Sequence, residues 1–452
     1  MKITLIGGGG VRAPLFVQAV AGRGRSFVVD RLTLFDSDAD RLRTLGGLAT
    51  AVARRGGARF DVELAPSMDA AVDGADFVIT SIRAGGDAAR ARYERIAGEV
   101  GVIGQETVGA GGFALAAWNG PALLELARTI EQRASAAHTL HFTNPAGLIA
   151  QLLHDAGFER HVGICDTPSD LVRRAAAYLA LEPTALRPSV IGLNHLSWLV
   201  KLEDGAGINR LPALLAEEKF LRTIGEPFEP ELIRSLGLLP TEYLHYYYHR
   251  DAALARQAKR ATTRGAYLEQ RSAALRAELH AIDPTGVYDG NFERAVAAYR
   301  RYCVDRDATY RAELGRTDEP HSAEDAGEGY AGVALDLMAS LRGGEDTFSI
   351  ASVPGAGSVP GFEPDDVVET TVRVERGVIE PRPSPSLPPD ARGLMHAVKG
   401  YERLAARSIL ERDRTIAGRA LAAHPLVGSY PLGARLVDAF LAGHRDPRGT
   451  WR

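Results

Sequence analysis

Cys165 and His195 are the two side chains best suited to hold a divalent metal, in Gly163-Ile164-Cys165-Asp166-Thr167-Pro168 and Gly192-Leu193-Asn194-His195-Leu196-Ser197-Trp198. A thiolate and an imidazole can ligate such an ion and leave positions open for substrate oxygens and water. Taken singly, the cysteine reads equally as a small buried residue and the histidine as a satisfied interior one. No Cys-x-x-Cys pair occurs, so a closed four-ligand structural zinc site is not indicated.

Near the N-terminus, Gly7-Gly8-Gly9-Gly10 offers backbone N–H groups to a pyrophosphate at a helix start. Arg12 takes the place of the third glycine of G-x-G-x-x-G. Asp36, ending a second apolar run, suits ribose hydroxyls and would repel a 2′-phosphate, which favours NAD over NADP. The alternative for Asp36 is a cap on the helix that follows it. Arg83 and Arg90, around Gly85-Gly86, are either ligand contacts or part of a solvated helix face. Gly101 to Gly112, with Glu106 inside it, is a mobile lid or a close-packed cofactor loop. Asn144-Pro145 falls where parallel sheets bind ligands. The run Tyr243-Leu244-His245-Tyr246-Tyr247-Tyr248 is a core stripe, or holds a base if one tyrosine lies near a metal or an arginine.

Elements must bring these residues together. Lys2–Ile6, Arg31–Phe35, Phe60–Leu64, Asp76–Thr80, His138–Phe142 and His161–Ile164 read as strands. Helical stretches alternate with them, from about Ala13 to Ala21 and from Asp40 to Arg54 among others. That order predicts an α/β fold: a Rossmann-type parallel sheet domain with right-handed crossovers, over residues 1–190. Residues 191–452 read as an α+β domain for substrate, metal and oligomerisation. Within it, Val190–Leu202 holds two apolar runs around Asn194-His195. Glu226–Arg301 is helical, Asp346–Arg376 reads as strands, Pro381–Pro389 as an exposed connector, and Leu394–Leu441 as helices.

The 452 residues are 45% hydrophobic and 24% charged with a net charge of −4, which offers no footprint for nucleic acid or an anionic membrane. No apolar run would span a bilayer. Two cysteines and no leader pattern ahead of Lys2 place the chain, as an expectation, in the cytoplasm.

The motifs resemble those of glycoside hydrolase family 4, the NAD- and manganese-dependent glycosidases. The likeness runs from the glycine turn through Arg83–Arg90, Gly101–Gly112, Thr143-Asn144-Pro145, Cys165–Pro168, Asn194-His195 and Tyr243–Tyr248 to His424-Pro425-Leu426-Val427. Leu193–Trp198 and Pro240-Thr241-Glu242-Tyr243-Leu244 most resemble the 6-phospho-β-glucosidases. The resemblance implies a lactate/malate dehydrogenase-like fold and an oxidation-assisted elimination. Sugar C3 is oxidised by NAD, the C2 proton is removed, the C1 aglycone leaves, water adds, and the hydride returns. It implies Cys165 and His195 as ligands of Mn²⁺ or another divalent metal, and Tyr243 as the base at C2, with Tyr246 and Tyr247 as alternatives. Gly7 to Gly10, Asp36 and Arg83 would hold NAD, Arg90 and Arg264 the 6-phosphate, and Asn144 and Asn194 the sugar. Glu106 would serve the metal or acid–base network. The partner would be a phosphorylated glycoside, the assembly a homodimer or homotetramer.

Asp166 departs from the β-specific pattern, where asparagine is usual, and matches an aspartate thought to act as leaving-group acid in 6-phospho-α-glucosidases; that alternative stays open. Gly10 replaces a serine, and Val353–Gly357 lacks an expected asparagine. Two other classes fit parts of the pattern. A plain 2-hydroxy-acid dehydrogenase would leave Cys165 and His195 unused, and a non-catalytic sugar-phosphate or NAD sensor would bind without turnover.

Overall fold

The computed structural model describes the chain apart from residues 25–26, 316–328, 344–346, 376 and 445. Asp346 and Arg376, the ends of the expected strand region, lie outside the described residues. Six parallel strands form first: β1 (Lys2–Ile6), β2 (Arg31–Phe35), β3 (Asp61–Leu64), β4 (Phe77–Thr80), β5 (His138–His141) and β6 (His161–Gly163). They pair in the order β3-β2-β1-β4-β5-β6. Ile3 to Ile6 are all buried because helices cover both faces, as the continuous apolar run requires. The strand order reverses between β1 and β4, which opens a crevice at their carboxyl ends.

The crossovers include α1 (Ala13–Gly22), α2 (Gly47–Arg55), α3 (Gly86–Glu99), α4 (Ala110–Arg133), α5 (Ala146–Asp155) and α6 (Thr167–Tyr178). The helix expected over Asp40–Arg54 is interrupted by a π-helical turn at Leu42–Gly46, which precedes α2. The expected run around Asn194-His195 is a hairpin of β7 (Arg187–Leu193) and β8 (Leu196–Glu203), followed by a short β9 (Leu239–Pro240).

Helices α7 (Arg264–Ile282), α8 (Phe292–Leu314) and α9 (Gly329–Leu341) precede β10 (Thr347–Pro354), β11 (Val367–Glu375) and β12 (Val378–Pro381). The chain closes with α10 (Pro389–Glu411), α11 (Arg414–Ala423) and α12 (Tyr430–Leu441). Between β12 and α10 the chain has no regular element and is mostly exposed, apart from Leu387.

The antiparallel strands do not form a separate sheet. Ser352 of β10 pairs with Gly163 of β6, and Glu369 and Thr370 of β11 pair with Gly192 and Ile191 of β7. One twelve-stranded sheet results, with β12 paired to β11. The division expected at 190/191 falls inside β7. Apolar packing also crosses that line: Ile3, Leu5 and Leu32 share a cluster with Leu335 and Met338 of α9 and Val372 of β11. Among the described residues no helix is long and apolar enough to cross a membrane.

Candidate active site

The crevice between β1 and β4 is a cavity of about 640 Å³ lined by Gly7, Gly9, Gly10, Asp36, Arg83 and Asn144 among others. Gly7 has φ +99°, and a Cβ there would lie 2.3 Å from the Ser81 carbonyl, so this position excludes a side chain on two counts. Gly8 is not on the cavity wall; it packs against Leu34 of β2. Helix α1 begins without a side-chain cap; its first N–H, that of Ala13, donates to the Gly10 carbonyl at 3.1 Å, and Pro14 has none to offer.

Asp36 accepts from the Gly9 N–H at 3.1 Å and the Asp38 N–H at 3.0 Å. Burial raises its carboxyl, and those two bonds pull against the rise. The helix cap is Asp38, whose side chain accepts from the Asp40 and Arg41 N–H groups. Asp36 is therefore left to face the cavity. An acidic group beside a glycine turn and a helix N-terminus fits an unphosphorylated adenosine ribose and a pyrophosphate.

Loop 101–112 is close-packed. A Cβ on Gly111 would lie 1.9 Å from the Gln105 carbonyl. The Gln105 Oε1 accepts from the Val108 N–H at 2.8 Å and the Thr107 hydroxyl at 3.0 Å, which closes the loop on itself. From this loop the Thr107 Oγ1 meets the His195 Nδ1 at 2.7 Å. That contact leaves the His195 Nε2 as the free nitrogen.

His195 occupies the two-residue turn between β7 and β8, with φ +64°, a left-handed conformation that hairpin turns demand. It is 5% exposed. Burial, aided by Arg12 and opposed by Glu106, pushes its pKa down to about 3, so the ring is a neutral donor. Cys165 follows β6 and is also buried. Burial, then Asp166 and Glu369, drive its thiol well above the ordinary range. Its Sγ lies 3.9 Å from the Asp166 Oδ1. Thiol and imidazole are donor types suited to a divalent cation, and Thr107 presets the imidazole. Among the described residues no three or more His, Cys, Asp and Glu side chains gather into a group that could hold a metal ion.

The structure singles out one tyrosine. The Tyr243 ring stacks on His195, centroids 3.8 Å apart and 13° from parallel. Tyr247 instead meets His424, its Oη 3.5 Å from the Nε2, and Tyr248 accepts from the Trp198 Nε1 at 3.3 Å. Tyr246 is buried in an apolar cluster. Burial, then Glu242 and Cys165, raise the Tyr243 phenol above its ordinary range. Cys165, His195 and Tyr243 are not among the residues of the cavity wall, and His195 is held from loop 101–112 by Thr107.

Asn194, beside His195, donates to the Glu369 Oε1 at 3.3 Å, while its own buried Oδ1 has no partner among the described residues. An acceptor left this way fits a sugar hydroxyl. Asn144 lines the cavity, and its carbonyl accepts from Asn119 at 3.2 Å.

The remaining sequence candidates meet one another. Arg83 pairs with Asp87 and Glu106, and Arg90 pairs with Glu106 and, at 2.7 Å, with Glu94. Burial alone would raise the Glu106 carboxyl, but Arg83 and Arg90 outweigh it and hold it well below the carboxylate range. Glu106 is thus a fixed anion. Arg264 lies 3.4 Å from Glu313 and is absent from the cavity wall.

Glu369 and Thr107 have structural positions that sequence reading passed over. Glu369 accepts from Ser197 at 2.7 Å, and burial raises its pKa to about 7 against the bonds from Ser197 and Asn194. A carboxylate inside the apolar run Val367–Val372 was the available signal.

Comparison with known proteins agrees with this geometry. Residues 2–181 match the model described as family 4 glycosyl hydrolase, and residues 190–427 its C-terminal domain. A probable 6-phospho-beta-glucosidase of Bacillus subtilis is 26% identical, over 98% of this chain and 96% of that protein. The 6-phospho-beta-glucosidase BglT of Thermotoga maritima is 26% identical over 99% of each. A phospho-alpha-glucosidase, PagL of Clostridium acetobutylicum, is 24% identical over 100% of this chain and 98% of its own. The Thermotoga maritima 6-phospho-beta glucosidase structure with manganese, NAD⁺ and glucose-6-phosphate superposes with a TM-score of 0.81, at 25% identity and 99% coverage of both chains. Fold and site therefore define an enzyme of the glycoside-hydrolysing class. The chain belongs to glycosyl hydrolase family 4.

Proposed function

We propose that this protein hydrolyses 6-phospho-β-glucosides, using NAD and a divalent cation such as Mn²⁺. The observation that carries the reading is the Tyr243 ring stacked on His195. The named activities of relatives along the full chain, and the ligands in the Thermotoga maritima structure, support it.

When bound, NAD supplies a reversible hydride acceptor and the cation supplies charge against adjacent sugar oxygens. Cys165 and His195 are the residues that would hold the cation, and Gly7, Gly9, Gly10 and Asp36 those that would hold NAD. Tyr243 takes the proton at sugar C2. Its phenol is neutral in buried surroundings and becomes a usable base only with a cation on Cys165 and His195. The Asn194 Oδ1 accepts from a sugar hydroxyl and fixes the ring. Asp166, beside Cys165, would be the group that passes a proton to the departing oxygen.

The Asp166 carboxylate supports a second reading, hydrolysis of 6-phospho-α-glucosides, in line with the relatives named for that activity. The test is release of 4-nitrophenol from the 6-phospho-β- and α-glucosides, with NAD⁺, Mn²⁺ and a thiol reductant omitted in turn. Release from the β compound that needs all three is the expected result. Release from the α compound alone moves the specificity to the second reading, and release without NAD⁺ overturns both.

A further inference from the structure

The Asn194 amide has two unlike ends: its oxygen accepts hydrogen bonds and its nitrogen donates them. The terminal torsion of an asparagine is close to two-fold, so a neighbour must choose between the two orientations. The rest of the residue is already placed. It sits in the turn between β7 and β8, and α5 packs so closely that a Cβ on Gly147 would lie 2.9 Å from the Asn194 Cβ.

Glu369 makes the choice. It lies on β11, paired with Gly192 of β7, and is buried. The Asn194 Nδ2 donates to its Oε1 at 3.3 Å, and the Ser197 Oγ donates to its Oε2 at 2.7 Å. A reversed amide would set a carbonyl oxygen against a carboxyl oxygen. A serine hydroxyl can donate or accept, whereas the amide nitrogen only donates. A proton on the carboxyl therefore belongs on Oε2, and Oε1 stays an acceptor whether Glu369 is charged or neutral. The Asn194 Oδ1 is thereby turned away from Glu369, buried and without a protein partner among the described residues. A buried acceptor in that state is unfavourable until a donor arrives.

We propose that Glu369 is a positioning residue for the sugar: it commits the Asn194 carbonyl oxygen, and not the amide nitrogen, to a substrate hydroxyl. The carboxyl acts through that amide alone. The proposal rests on the phosphoglycosidase reading above.

The test is a double-mutant cycle. Titration calorimetry on the protein saturated with NAD⁺ and Mn²⁺ would measure glucose 6-phosphate. Glu369→Met, which keeps the length and removes both acceptor oxygens, is expected to weaken it about 10-fold, as is Asn194→Ala. The two combined should weaken it no more than Asn194→Ala does. Glu369→Gln leaves one acceptor oxygen for two donors and should weaken it about threefold, again only when Asn194 is present. This near-isosteric variant carries the cycle if the methionine variant fails to bind NAD⁺. Unchanged affinity in the folded Glu369 variants overturns the proposal, and so does a loss that persists in the Asn194→Ala background. An equal loss of Mn²⁺ affinity in Glu369→Met overturns it too, because the carboxyl would then hold the whole turn with His195. A wild-type protein that binds NAD⁺ and Mn²⁺ but no glucose 6-phosphate overturns instead the phosphoglycosidase reading on which the proposal rests.

Discussion

At the scale of single residues, the site is a set of groups whose ordinary ionisation is suppressed until ligands arrive. The Cys165 thiol and the Tyr243 phenol are raised by burial and by carboxylates, and the His195 ring is kept neutral. Cys165→Ser should therefore lower kcat by 100-fold or more, an order-of-magnitude expectation for a lost metal ligand, while NAD⁺ binding stays within about twofold. Full turnover in that variant would remove Cys165 from the metal site. Tyr243→Phe should stop exchange of the sugar C2 proton with deuterated water; exchange at the wild-type rate would assign the base to another group.

Glu369 offers a pH test. Its folded pKa of about 7 stands above the ordinary carboxylate value, so the folded protein keeps a proton that the unfolded chain releases. Stability from this group is full at low pH and falls as pH rises through about 7. Glu369→Gln removes that loss. Melting should then rise by about 2–4 °C at pH 8 and change little at pH 5, given the size of the chain. A gain equal at both pH values would contradict the assigned protonation.

Among elements, loop 101–112 connects the glycine-turn cleft to His195. Glu106 binds it to Arg83 and Arg90 on the cleft side, and Thr107 sets the His195 tautomer on the other. Thr107→Val keeps the shape and removes the hydroxyl, which should weaken Mn²⁺ about 10- to 100-fold. NAD⁺ affinity should hold, because the glycine turn and Asp36 are untouched. Unaltered Mn²⁺ affinity would show that His195 needs no help in holding its tautomer. The hairpin turn contributes in the same way: β7 and β8 pair up to Leu193 and Leu196, so Asn194 and His195 have no freedom to drift.

On the scale of the whole molecule, one sheet carries both halves of the chemistry. β6 positions Cys165, β7 and β8 position His195, and β10 and β11, from much later in the chain, lie between them. A chain ended at residue 190 would lose the partners of β6 and β7 and the α9 residues that bury Ile3 and Leu5. It should show no cooperative thermal transition, measured by circular dichroism at 222 nm. A sharp transition would mean that residues 1–190 fold alone.

The parallel strands and the glycine turn beside Asp36 were legible from sequence because each depends on local pattern. A continuous apolar run, a glycine run after a strand and an acidic residue at the end of the next apolar run all lie within a few positions of one another. Partnerships were not legible. Arg90, one of four arginines in Arg83–Arg95, has its charge balanced by Glu106, sixteen residues on. Which tyrosine of the run faces His195 depends on a short 3₁₀ turn after β9, and whether β10 joins β6 depends on long-range pairing. Charge compensation and ring stacking are set by three-dimensional proximity, so the tertiary structure alone decided which arginines are paired with carboxylates and which tyrosine lies on His195.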